Sequence, residues 1–162
     1  MPTVAVVRVR GHSRINHKVV ETMEMLRLFR PNHCVLLPVN DCNKGMLQMV
    51  KDFVTWGEVS HETIARLLFH RGEVVGGDRL TDAFVKENST YTSILSLAKA
   101  VEKGEAKLSD VKGLKPVLRM HPPRTGYKGA KLQFANGGAL GYRGAAMETL
   151  VDKMLPKSQE AK

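Results

Sequence analysis

The chain has 162 residues, 43% of them hydrophobic, enough for one good core or a core with a smaller satellite domain. Its 25 Lys and Arg against 16 Asp and Glu give a formal charge of +9, which points to polyanions, nucleic acid or anionic lipid, without choosing between them. No run approaches the roughly 18 apolar residues of a membrane span, and the two cysteines, Cys34 and Cys42, are too few for a disulfide-stapled secreted scaffold.

Residues 3–10 (TVAVVRVR) alternate, with Ala5, Val7 and Val9 on one face and Arg8 and Arg10 on the other. The pattern predicts a first strand with a wet, cationic outer end. It opens the chain where a basic leader and apolar stretch would otherwise stand, so the protein is expected to stay in a reducing cytoplasm. Asn16 is placed to cap a helix with Val19, Val20, Met23, Leu26 and Phe29 at helical spacing, stopped near Pro31. Residues 33–39 (HCVLLPV) are apolar on both faces, as in an inner strand. Asn43 is the expected cap of a second helix carrying Met46, Leu47, Val50, Phe53 and Val54; residues 55–60 give a third strand, and Ser60 opens a third helix.

The adjacent glycines of residues 72–79 (GEVVGGDR) read as a boundary, dividing the chain into 1–72 and 73–162. A short helix is expected over 80–87, capped by Asp78 or Thr81. A longer one is expected over 93–103, with Ile94, Leu97, Ala98 and Val101 inward, and a closing amphipathic helix over 145–155.

Between Lys112 and Arg143 the sequence holds Lys112, Lys115, Arg119, Arg124, Lys128, Lys131 and Arg143 with no Asp or Glu among them. Phosphate oxygens accept from such cations, exposed glycine amides approach them closely, and Tyr127, Phe134 and Tyr142 offer faces to unpaired bases. The bland alternative makes the glycines hairpin turns and the aromatics a satellite core, but a merely solvated face usually mixes both signs. A second cluster, Arg8, Arg10, His12, Arg14, His17 and Lys18, meets no acid before Glu21. Both glycine-rich stretches, 122–131 and 136–144, are expected to be loosely tied in the free protein.

Catalytic patterns fall short. His61-Glu62 lacks the second histidine of His-Glu-x-x-His, because Ala65 stands there, and GGALGYRG matches neither phosphate-loop consensus. His33 with Cys34 is better read as a buried thiol and its neighbour than as a metal site, and no G-x-S-x-G elbow occurs. A phosphate-ester enzyme would need an acidic cluster near the glycine-rich loop. A membrane-surface protein would need a helix with a cationic polar face, and the helices carry mixed charge.

The blocks VAVVRVRG, ETMEMLRLFRPN running into HCVLLP, GMLQMVKDFVTWGEV, LKPVLRMHPPRTGYKGAK and GGALGYRG resemble the large-subunit ribosomal protein family called number thirty in bacteria and archaea and number seven in eukaryotes. The bacterial form is similar only to residues 1 to about 60, so the chain resembles the long archaeal type; it also lacks the basic N-terminal arm of eukaryotic members. The resemblance implies an α+β fold: a three-stranded antiparallel sheet with helices on one side, similar to a ferredoxin-like fold, over 1–72, plus a C-terminal extension over 73–162. It implies a non-enzymatic structural component, without cofactor or metal. Its implied partners are large-subunit rRNA, the vicinity of 5S rRNA and neighbouring ribosomal proteins, with one copy per large subunit in the cytoplasm and no membrane. On this view Arg8, Arg10, His12, Arg14, Lys18 and Lys44 hold RNA on one side, and Arg119, His121, Arg124, Tyr127, Lys128, Lys131 and Arg143 on the other.

Overall fold

The computed structural model describes residues 3–156. Within them the order is β1 (Thr3–Arg8), α1 (His17–Met25), β2 (His33–Pro38), α2 (Asp41–Val50), β3 (Val54–Glu58), α3 (His61–Arg71), α4 (Asp82–Asn88), α5 (Ile94–Lys103), β4 (Val117–Arg119), β5 (Gly141–Tyr142) and α6 (Ala146–Met154). The strands form one sheet in the order β4-β2-β1-β3-β5. All pairs are antiparallel except β3 with β5, which is parallel. The expected three antiparallel strands are its centre, but the sheet is five-stranded and mixed, because two short strands from the second half of the chain extend both edges.

Helices cover both faces, not one. The cause is visible in β1, all six residues of which are buried. Ala5 and Val7 pack into a core with Leu67 and Leu68 of α3, Leu97 of α5 and Met147 of α6. Val4 and Val6 face the other way, against Met23 of α1 and Leu47 and Val50 of α2. A strand buried on both sides is usual for the middle of a covered sheet, where neither face needs polar residues.

Local signals mostly behave as expected. Asn16 Oδ1 accepts from the Lys18 N–H at 3.1 Å and caps α1. Thr81 caps α4, and Ser93 caps α5 with a reciprocal hydrogen bond to Ser96, above an inward stripe of Ile94, Leu97, Ala98 and Val101. Two details differ. The first helix ends at Met25 because Arg27 takes a left-handed φ of 60°; the turn sends Leu28 into the core and leaves Phe29 49% exposed. The second helix starts a turn earlier than expected, with Asn40 at the cap position; Asn43 lies inside it and donates to the Pro38 carbonyl at 2.8 Å.

Candidate nucleic-acid interface

The strand registers fix which connections meet. Val7 pairs with Cys34, Arg8 with Val54, His33 with Arg119, and Thr55 with Gly141. The exits of β1 and β4 and the entrances of β2, β3 and β5 therefore lie at one end of the sheet. Long-range hydrogen bonds knit this end together. Met120 N donates to Asn32 O at 3.1 Å, Val9 N to Phe53 O at 2.9 Å, and Gln133 Nε2 to Asp52 Oδ1 at 2.9 Å. Val9 packs with Ala139 and Leu140.

Two clusters that the sequence separates by about a hundred residues are thus carried on one end of the molecule. From the first half come Arg10, His12, Arg14 and Lys18. Arg10 donates to Asp52 O at 3.2 Å and lies over the Phe53 ring at 4.9 Å, and His12 Nε2 is 3.0 Å from Phe29 O. From the second half come Arg119, His121, Arg124, Lys128 and Lys131, all exposed. Pro123 is buried behind Arg124. The Arg124 backbone N–H donates to Lys153 O at 3.1 Å and its Nη2 to Asp152 O at 2.8 Å, so this cation sits against the negative pole of α6.

Arg143 is half-buried. Its Nε donates to Thr55 Oγ1 at 2.9 Å, its Nη2 to Ala139 O at 2.8 Å, and its guanidinium stacks 4.9 Å over Phe134. Burial lowers its pKa, partly offset by Tyr127. Beside it lies an open groove of about 690 Å³ between the 125–128 turn, the 134–143 loop and α6. The loop is better tied than its glycines suggest. Leu140 N and Ala139 N both donate to Leu132 O, at 3.1 and 3.0 Å, and Phe134 N donates to Leu140 O at 2.7 Å.

Three expected contact residues are placed elsewhere. Arg8 is 0% exposed, with Nε donating to Arg10 O at 2.8 Å and Nη1 to Leu28 O at 2.7 Å. Alternation put it on the second face of β1 correctly, but that face is covered rather than wet, and burial lowers its pKa. Tyr127 is no free stacking surface: it packs against the core that holds Ala5 and Val7 and against the Val9, Ala139 and Leu140 cluster, and its hydroxyl donates to Asn32 Oδ1 at 2.7 Å, with burial raising its pKa. Lys44 stands on the first turn of α2, after β2 has run to the opposite end of the sheet, and pairs with Asp41 at 3.3 Å. Of the other two aromatics, Phe134 already carries Arg143, and Tyr142, 55% exposed, donates to the Glu58 carboxylate at 2.7 and 2.9 Å.

Sequence reasoning missed Arg30, Lys51 and Lys153. Arg30 lies close enough to His33 to help lower its pKa, after burial and Arg119; Lys51 precedes the Asp52 carbonyl that Arg10 grips; Lys153 lines the groove. Arg30 and Lys51 each stand three residues ahead of a strand entrance, at His33 and Val54. Charge segregation is also less complete than the sequence shows, since Lys115 pairs with Glu73 at 3.4 Å. Among the described residues, no group of three or more His, Cys, Asp or Glu side chains is arranged to hold a metal ion, and no helix is long and apolar enough to cross a membrane.

Comparison with known proteins gives a consistent result. Residues 4–54 match the family model described as ribosomal protein L30p/L7e. The large ribosomal subunit protein uL30 of Methanoregula boonei is 51% identical over 151 residues, covering 93% of this chain and 98% of its own. The protein of the same name from Methanocella arvoryzae is 47% identical over 150 residues, with 93% and 98% covered. That of Methanosphaera stadtmanae is 44% identical over 151 residues, with 93% and 99% covered.

Proposed function

The chain belongs to the uL30 family of large-ribosomal-subunit proteins, of archaeal type, and on that premise we propose that it binds and stabilises folded large-subunit rRNA through the cationic end of its sheet. The observation that carries this reading is the convergence of Arg10, His12, Arg14 and Lys18 with Arg119, His121, Arg124, Lys128, Lys131 and Arg143 at the junction of all five strands. Exposed Lys and Arg neutralise phosphates, and a rigid frame holds them in one register against a folded RNA. Arg8 and Tyr127 support this surface from beneath rather than touching RNA. Lys44 belongs to a separate face.

The role is structural, with no chemical step, in one copy per cytoplasmic large subunit, near 5S rRNA and beside other ribosomal proteins. Residues 1–72 form the core domain of this reading, and 73–162 an extension that folds onto it and adds the outer strands. The test is sedimentation across a salt series. The native protein is expected to travel with the large subunit at low salt and leave only at high salt, as counterion release requires. Release that is insensitive to salt would refute the electrostatic reading, and nucleotide hydrolysis by the purified, RNA-free protein would refute its non-catalytic part.

A further inference from the structure

We infer that the groove between the 125–128 turn, the 134–143 loop and α6 takes a single unpaired nucleotide, extruded from the RNA that the surrounding cations hold. The inference rests on the RNA-binding reading and names what that surface recognises besides phosphate. At about 690 Å³ the groove falls within the size range of small-molecule sites. One part of its wall is the Phe134 ring with the Arg143 guanidinium carbon 4.9 Å from its centre, an aromatic surface polarised by a cation. Arg143 is held there by Thr55 Oγ1 and Ala139 O, so the stack exists before any ligand arrives. Ala146 and Leu150 of α6 supply an apolar part of the lining, and Lys128 and Lys153 supply exposed cations. Among the described residues that line the groove, none is acidic.

A phosphate alone has no use for the apolar and aromatic wall, and an apolar ligand has none for the lysines. A nucleotide uses both: its base stacks while its phosphate meets Lys128 or Lys153. Within a duplex, base faces are covered by their neighbours, so the nucleotide must be bulged or single-stranded. Two glycines leave the way open. Gly126 and Gly137 have φ of 70° and 79°, and a side chain at either would meet nothing within 4 Å. The left-handed backbone explains glycine there, and the open space leaves backbone accessible to a ligand.

The probe is an RNA hairpin with one bulged 2-aminopurine, compared with a fully paired hairpin carrying at least as many phosphates. The bulged hairpin is expected to bind about tenfold more tightly, in the range a single stacked base contributes, with 2-aminopurine emission quenched to saturation at one equivalent. Thr149→Phe, which fills the groove from an exposed position on α6, is expected to abolish the preference and the quenching while leaving affinity for the paired hairpin unchanged. Phe134→Leu is expected to reduce the quenching in the folded protein. Equal affinity for the two hairpins, or a preference that survives Thr149→Phe, overturns the inference and leaves the RNA-binding reading intact. Failure to bind either hairpin overturns both.

Discussion

Replacing Arg8 with Met separates a supporting arginine from a phosphate-binding one. The guanidinium donates from two nitrogens to the carbonyls of Arg10 and Leu28, at 2.8 and 2.7 Å, and its residue is fully buried. Hydrogen bonds to a charged group contribute about 1.5–3 kcal/mol each, so losing both removes about 3–6 kcal/mol. Relief from burying the charge returns part of this, since a buried cation without an acidic partner is costly, and Met nearly preserves the volume. A net loss of about 2–4 kcal/mol is expected. In a chain of this size each kcal/mol shifts Tm by about 2–4 °C, which predicts a drop of about 4–16 °C. Urea denaturation should show a lower midpoint with unchanged slope. RNA affinity, measured below the melting range, should keep its log–log salt dependence, because no phosphate contact has been lost. A contacting arginine would instead reduce the slope by about 0.9 for duplex-like RNA. An unchanged Tm together with a slope reduced by that amount would show that Arg8 reaches the RNA and that the account of the β1 exit is wrong.

Arg124→Lys keeps the charge but loses the planar fork that reaches Asp152 O; affinity for an rRNA fragment should fall at every salt concentration with nearly the same slope, and parental affinity would refute a role beyond charge. The matched control is Lys99→Gln, on the helix whose Val101 carbonyl accepts from Thr3 at the far end of the sheet. Gly57→Ala should destabilise by about 3 kcal/mol in urea titrations, since a Cβ there would stand 2.2 Å from Gly144 O and 2.8 Å from Met147 Cβ; wild-type stability would show that β3 and the start of α6 are not in such close contact. The Glu148 carboxylate accepts from the Ser60 side chain and from its N–H at 2.7 Å, and these bonds hold its pKa below the ordinary value. Its contribution is therefore present above the unfolded-state pKa and lost as pH falls through the lower folded value. Glu148→Gln should flatten the decline in stability that sets in as pH falls through the ordinary carboxylate range and below it, whereas parallel curves for parent and variant would contradict this linkage.

The elements that the sequence made legible are those whose signals are local. Ser93 and the stripe Ile94, Leu97, Ala98 and Val101 give α5 almost to the residue, and Asn16 gives the start of α1. What escaped depends on partners distant in the chain. Strands β4 and β5 have three and two residues, too short for alternation to register, and exist because β2 and β3 offer them edges. Arg8 illustrates the complementary limit: a period of two assigns a residue to a face without saying whether that face is covered. The two cationic clusters were readable as composition. Their meeting at one sheet end was not, since it follows from strand order. Tyr127 was singled out by its residue type, but Asn32, which holds its hydroxyl, lies far off in sequence.

The placement of β4 and β5 at the two margins of the sheet also bears on how the molecule is made. A ribosome synthesises the central strands first, and the margins only after residues 117–142 have emerged. Until then β2 and β3 each present an open edge, and the growing chain carries only the charges of its first half. Docking of the late strands closes both edges and brings Arg119 and Arg143 to the end of the sheet where β1 exits. An unfinished chain therefore keeps two strand edges open and lacks the cations of residues 117–143, so the complete cationic end of the sheet exists only once both margins have formed.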